Sequence, residues 1–201
     1  MINGIVISGC SGVGKTTLIK RLLELHPDYV FSVSYTTRKP RSGETEGVDY
    51  YFVSQQEFEE KKRNRFFLEW EEIYGHLYGT PSFTTKESHN GIQAVVFELD
   101  SKGALNLQQK FLQFTTIAII PPSIDTTEAR LRMRGSESEE DIAERRMHIA
   151  EELRRLQHLS YCVVNDDMET AARELESVVS AQFHRAPFRG PRIDELLEQL
   201  T

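Results

Sequence analysis

Short apolar, β-branched runs alternate along the chain with stretches of helical period. The runs are Gly4–Ser8 (GIVIS), Phe31–Tyr35, Ala94–Leu99 (AVVFEL), Thr116–Ile120 (TIAII) and Tyr161–Val164 (YCVV). Continuous apolar runs of this kind read as strands buried on both faces of a parallel sheet. Helical patterns fall at Lys15–Leu25, Ser54–Asn64 and Thr126–Arg134, the last closed by Gly135 as C-cap. A longer helix is predicted from about Ser138 to His158, with Ile142, Ile149, Leu153 and Leu156 as its inward stripe. Its start offers Ser136 with Glu139, and Ser138 with Asp141, at capping-box spacing. The alternation predicts an α/β fold with a parallel sheet. Residues 34–84, polar and tyrosine-rich, and 125–155, highly charged, read as insertions on it. The tail, 181–201, is broken by prolines before Ile193, Leu196, Leu197 and Leu200 fall at helical spacing. It reads as a terminal helix docked on the body or as a dimer contact.

Composition narrows the function classes. The chain has 201 residues, 39% of them hydrophobic, enough for one globular unit with subdomain insertions. A formal net charge of −7 argues against sequence-independent nucleic-acid binding but leaves room for a local cation cluster that holds a nucleotide. Two cysteines, Cys10 and Cys162, make no disulfide framework and no CxxC metal site. The start, MINGIVISGC, lacks the features of a signal peptide, and no run approaches the ~18 apolar residues of a membrane span. A cytoplasmic location is the expectation.

The chemistry concentrates in two places. GCSGVGKT fits G-x-x-x-x-G-K-[ST] between a predicted strand and a predicted helix. Its backbone N–H groups and the helix N-terminus suit nucleoside triphosphate phosphates. Gly9, Cys10, Ser11, Gly12, Val13, Gly14, Lys15, Thr16 and the following Thr17 are the expected contacts, with Lys15 on the β- and γ-phosphates. AVVFELD ends an apolar strand in Asp100, the placement of a metal-facing carboxylate. Thr16 and Asp100 are the expected Mg²⁺ ligands. Downstream, Arg38 and Arg41 flank Pro40 among hydroxyl-bearing residues, with Tyr50 and Tyr78 as further donors. Arginine grips phosphate bidentately, so a second phosphate site is the sharper reading and solvated surface the blander one. RLRMR (130–134) and Arg145–Arg146 gather guanidinium groups of the kind that stabilise a transferred phosphoryl group. Spacing alone does not say whether Arg145 or Arg146 enters the cleft. KKRNR (61–65), Arg146, Arg154 and Arg155 read as solvated helix charges.

The stretch SxSxTTRxPRxGExxGxDYxF (32–52), with FLEW, YGT and the glycine-rich loop, resembles guanylate kinase from about residue 3 to 180. The resemblance implies a P-loop kinase core with a five-stranded parallel sheet flanked by helices (1–33, 85–124 and 156–180). It adds a GMP-binding subdomain (34–84), a helical lid (125–155) and a C-terminal extension (181–201). Carried over residue by residue, Arg38, Arg41, Tyr50 and Tyr78 hold the GMP phosphate, and Ser34, Glu69 and Thr80 read guanine. Glu69 also makes chemical sense, since one carboxylate accepts from both guanine N1–H and the exocyclic amine. Glu98 and Asp100 stand beside the acceptor. Lys15, Arg41, Arg134 and Arg145 are the catalytic cations. Arg130 lies near adenine, and VVNDD resembles the family's adenine-contacting turn through Asn165 and Asp166. The family's D-x-D-x-Q-G is here Glu98-Leu99-Asp100-Ser101-Lys102-Gly103, a departure expected to leave activity intact. The implied reaction is ATP + GMP to ADP + GDP by direct in-line transfer with Mg²⁺, on a protein with no nucleic-acid or membrane partner, monomeric or homodimeric. A non-catalytic phosphopeptide-binding module and a ribose-bisphosphate kinase are the alternatives. The intact phosphate loop disfavours the first, and the Ser34–Glu69 pair the second.

Overall fold

A computed structural model describes residues 3–41, 43–73, 75–82, 91–134 (except the side chains of 131, 133 and 134), 149–184, 195–196 and 198. Five strands form a wholly parallel sheet: β1 (Asn3–Gly9), β2 (Tyr29–Phe31), β7 (Ala94–Leu99), β8 (Thr115–Ile120) and β9 (Tyr161–Val164). Their order is β2-β7-β1-β8-β9, so β1 is central. Alternate residues face opposite sides. Ile5 and Ile7 pack with Leu18, Ile19 and Leu22 of α1 (Lys15–Leu25) and Ala171, Leu175 and Val179 of α5 (Met168–Gln182). Val6 and Cys10 pack on the other face with Ala104 and Leu107 of α3 (Ser101–Lys110) and with Ile149 and Leu156 of the helical segment 149–156. Truncating Leu175 to Ala in this packing costs ~2–5 kcal/mol.

A second sheet is ordered β4-β3-β6-β5: β3 (Ser34–Thr36), β4 (Tyr50–Phe52), β5 (Phe67–Ile73) and β6 (His76–Pro81). Helix α2 (Gln55–Arg63) starts with a full capping box between Ser54 and Glu57 and buries Phe58 against Phe67, ring centroids 4.6 Å apart. A Cβ at Gly79 would meet these two rings at 2.8 and 2.9 Å, so only glycine fits there. Helix α3 packs on β5 and joins the sheets.

Most predicted elements stand where expected, and the differences have physical reasons. The run Phe31–Tyr35 is not one strand. It splits between the two sheets, with Ser32 N–H on Val96 C=O at 2.8 Å as the last tie to the core. Ser32 and Ser34 alternate with Val33 and Tyr35, a two-faced pattern suited to leaving a core sheet. Lys61 and Lys62 are not merely solvated. Lys61 lies 4.9 Å from the centroid of Tyr35 and Lys62 3.6 Å from that of Trp70. Helix α4 (Ile124–Arg134) starts two residues early. Residues 135–148, with the Gly135 cap, the capping boxes and Ile142, lie outside the described residues. So do Ile193, Leu197 and Leu200 of the tail stripe, while Leu196 is 48% exposed. Among the described residues no helix is long and apolar enough to cross a membrane.

Candidate active site

Because the core sheet is parallel, β1, β7 and β9 all end on one edge, where ligands of such folds bind. A cleft of about 1140 Å³ opens there and runs on to the second sheet. β1 delivers the glycine-rich loop. A Cβ at Gly9 would meet the Ile119 carbonyl oxygen at 2.2 Å, and Gly14 caps α1 at φ 95° with no side-chain cap. The first N–H groups of α1 are therefore left for a ligand. Lys15 Nζ donates back to the carbonyls of Gly9 and Cys10, at 2.7 and 3.1 Å. Burial foremost, and then the neighbouring Glu152, pushes the Cys10 thiol up to about 12.

The carboxylates sort themselves by partner. Thr16 Oγ1 donates to both oxygens of Glu98 at 3.3 Å. Thr16 meets Glu98 and not Asp100, the carboxylate named with it for Mg²⁺. Asp100 instead caps α3, accepting from Gly103 N–H at 2.8 Å. A Cβ at Gly103 would meet Glu69 Oε2 at 2.9 Å and Asp100 Oδ1 at 3.0 Å, so these two acids converge on one point. Glu69, 7% exposed on β5, accepts from the Thr80 hydroxyl. Burial pushes its carboxyl up to about 7, and Asp100 adds to the rise while Thr80 opposes it.

The loop after β3 forms a cationic cup. Arg38 donates from Nε to the Tyr78 hydroxyl at 3.3 Å, and from Nη1 and Nη2 to Glu44 at 2.9 and 2.8 Å. It lies 5.4 Å from the Tyr50 ring centroid. Burial works against the Arg38 charge, but the hydrogen bonds to Glu44 and Tyr78 raise its affinity for the proton. Burial likewise opposes the Glu44 charge, and Arg38 with the Arg41 N–H holds that carboxyl below its usual range. Burial, then Glu98, raises Tyr50.

The family model for guanylate kinase matches residues 1–182. The chain belongs to the guanylate kinase family. It is 42% identical over 198 residues to a guanylate kinase of Nitratidesulfovibrio vulgaris, covering 98% of this chain and 96% of that one. It is 40% identical to the guanylate kinase of Carboxydothermus hydrogenoformans, covering 89% and 87%. Among solved structures it resembles guanylate kinase from Anaplasma phagocytophilum, with a TM-score of 0.72, 29% identity, and coverage of 90% and 86%.

In this guanylate kinase, Ser11, Thr17, Ser34, Arg38, Arg41, Tyr50, Tyr78 and Thr80 line the same cleft as the loop glycines, Lys15 and Glu69. The Asn165 side chain turns into the phosphate loop, which leaves the main chain of this turn facing outward. Asn165 is 1% exposed and its Nδ2 donates to the Val13 carbonyl at 2.7 Å, inside the phosphate loop. Arg130 reaches the main chain of the same turn, donating to the carbonyls of Asn165 and Asp166 at 3.1 and 3.5 Å. The Arg134 side chain and Arg145 lie outside the described residues. Two acids were missed from sequence. Glu44 stands in the family motif, three residues after Arg41, and that position was its signal. Glu152, which lines the cleft beside the loop, gave none.

Proposed function

We propose that this guanylate kinase binds ATP on the Gly9–Thr17 loop and GMP against the second sheet, and passes the γ-phosphoryl group directly between them to give ADP and GDP. One observation carries the reading. A buried carboxylate suited to guanine, Glu69, faces the same cleft as an uncapped phosphate loop. Guanine offers N1–H and an amine to Glu69 and the neighbouring Asp100. Adenine offers N1 as an acceptor, and a site left with unpaired buried groups rejects such an analogue by ~10⁴ or more.

The GMP phosphate oxygen attacks the γ-phosphorus as the bond to the β–γ bridging oxygen breaks. The nucleophile is already ionised, so no general base takes part. Arg38, Arg41, Tyr50 and Tyr78 fix the acceptor phosphate, which supplies the alignment that dominates such transfers. Lys15 leaves its carbonyl partners for the donor phosphates. Arg134 and Arg145 come from the lid segment, 125–155, as further cations, and Arg130 flanks the adenine side.

Mg²⁺ fits the residues present. It favours oxygen donors, keeps several waters, and needs only one or two protein carboxylates beside the phosphates. Thr16 Oγ1 and the Glu98 carboxylate, 3.3 Å apart, present such oxygens beside the phosphate loop. Thr16 and Glu98 would hold it. Bound there, the ion would neutralise charge on the donor phosphates. The reaction and the two free cysteines suit a reducing cytoplasm.

The test is ADP release from ATP and Mg²⁺ with GMP, AMP, CMP or UMP supplied singly. Turnover with GMP alone, lost or relaxed in Glu69→Ala, is the expected result. Tight ATP binding without turnover on any of the four would overturn it.

A further inference from the structure

We propose that Asn165 is a positioning residue for the donor nucleotide, a clasp that holds the phosphate loop in its binding shape while Arg130 holds the clasp. The proposal rests on the reading of that loop as the ATP site.

The geometry is a chain of three links. Arg130, on α4, donates from Nη1 to the Asn165 carbonyl at 3.1 Å. The Asn165 main-chain N–H donates to Ile120 C=O at 2.8 Å, at the end of β8. Its side-chain Nδ2 then donates to Val13 C=O at 2.7 Å, across 152 positions of sequence. A carbonyl only accepts, so the amide nitrogen must face Val13. The contact falls where the loop turns hardest. Gly14 follows at φ 95°, and a Cβ on it would lie 2.5 Å from Asn165 Nδ2. Asn165 therefore packs into the space that the missing Gly14 side chain leaves.

The other end of the amide separates positioning from stability. Asn165 Oδ1 is buried with no partner among the described residues. The hydrogen bond gained at Nδ2 is offset by the buried acceptor left unmade at Oδ1. The side chain thus gives the fold little net stability. Its directed N–H bears on the one segment whose backbone must be shaped for phosphates.

The variants are Asn165→Ala and the isosteric Asn165→Asp, which lacks the donor and sets an oxygen against the Val13 carbonyl. ADP affinity is measured by calorimetry, KM for each substrate by steady-state kinetics, and Tm by thermal melting. Asn165→Ala is expected to weaken ADP roughly tenfold, the loss of about one hydrogen bond, with a matching rise in KM for ATP. KM for GMP should stay within about twofold, and Tm within a few degrees. Asn165→Asp should weaken ADP further. Unchanged ADP affinity in both variants would overturn the proposal. So would equal losses for both substrates with a large fall in Tm, or failure of both variants to fold, which would assign Asn165 to the fold itself. The ADP titration needs no transfer. Wild type that binds ADP but does not phosphorylate GMP would sink the functional reading and leave the clasp standing.

Discussion

Thr80 donates its hydroxyl to Glu69 from the position directly opposite it on the β5–β6 ladder. That bond works against a carboxyl that burial pushes up to about 7. Guanine recognition requires the ionised form, which accepts two hydrogen bonds. KM for GMP should therefore rise as pH falls below about 7, approaching tenfold per pH unit well below it. The GMP phosphate also titrates in this region, so Glu69→Gln, with no titrating carboxyl, is the comparison, and its profile should lack the upper step. A flat wild-type profile between pH 6 and 8 would rule out the coupling. The stability sign runs the other way from an ordinary paired acid. The folded state holds this proton more tightly than the unfolded chain. The group's contribution is full below the usual carboxylate range and is lost as pH rises through about 7. From 4.5 to about 7 the rise corresponds to about 3 kcal/mol. Melting of the unliganded protein should show this loss, and Glu69→Gln should remove it.

Arg38 is committed before any phosphate arrives. Its side chain is 11% exposed, and Glu44 takes two of its N–H groups. Glu44 also accepts from the Arg41 main-chain N–H at 2.6 Å, so one carboxylate ties both arginine positions together. Glu44→Ala should leave Arg38 poorly oriented and its charge poorly compensated. The expected outcome is a rise in KM for GMP of about tenfold or more, with KM for ATP little changed, and a stability loss of roughly 1–3 kcal/mol. Kinetics with each substrate varied in turn, and urea unfolding, would check it. Equal effects on both substrates would remove Glu44 from the acceptor site.

Glu98 and Asp100 sit two residues apart at the end of β7, yet they keep different company. Glu98 meets Thr16, and Asp100 meets Glu69 around Gly103. Substitutions should therefore separate. Glu98→Gln should raise the Mg²⁺ concentration for half-maximal activity roughly tenfold or more and leave GMP affinity nearly unchanged. Asp100→Ala should weaken GMP and, by removing the α3 cap, cost ~1 kcal/mol of stability. Mg²⁺ titrations at fixed GMP, and GMP titrations at fixed Mg²⁺, decide it. A reversed pattern would return the metal to Asp100.

The three central strands, β1, β7 and β8, were legible because both faces are buried, which leaves uninterrupted apolar runs such as AVVFEL, whereas the edge strand β2 was read two residues late and β9 is largely exposed. The phosphate loop was legible because its glycines, Lys15 and Thr16 are local. The second sheet was not read as strands. FLEWEEI (67–73) carries three acids and HLYGTP (76–81) a glycine and a proline, so neither shows an apolar strand pattern. Helix α5 could have been found, since Ala171, Leu175 and Val179 repeat at helical spacing behind the N-cap Asp167. The guanine-reading role of Glu69 came only with the resemblance, since an acid in FLEWEE reads locally as surface. The Asn165–Val13 bond spans most of the chain and leaves no local trace. The turn sequence placed Asn165 at the right end of the sheet and gave no direction for its side chain.

The two thiols should be chemically distinct. Cys10 is fully buried in the phosphate loop, and Cys162 is exposed on the edge strand β9. Attack needs thiolate on an accessible sulfur. Burial pushes Cys10 up to about 12, with Glu152 adding to it, whereas burial and then Glu174 raise Cys162. Iodoacetamide at pH 8 should modify one thiol of the native protein, Cys162, slowly and without loss of activity. Cys10 should react only after unfolding. Peptide mass mapping of native and urea-treated samples reads both sites. Native alkylation at Cys10 would show that the phosphate loop opens in solution far enough to expose its second residue. In that case saturating ADP should protect it, because a loop wrapped on phosphates cannot open.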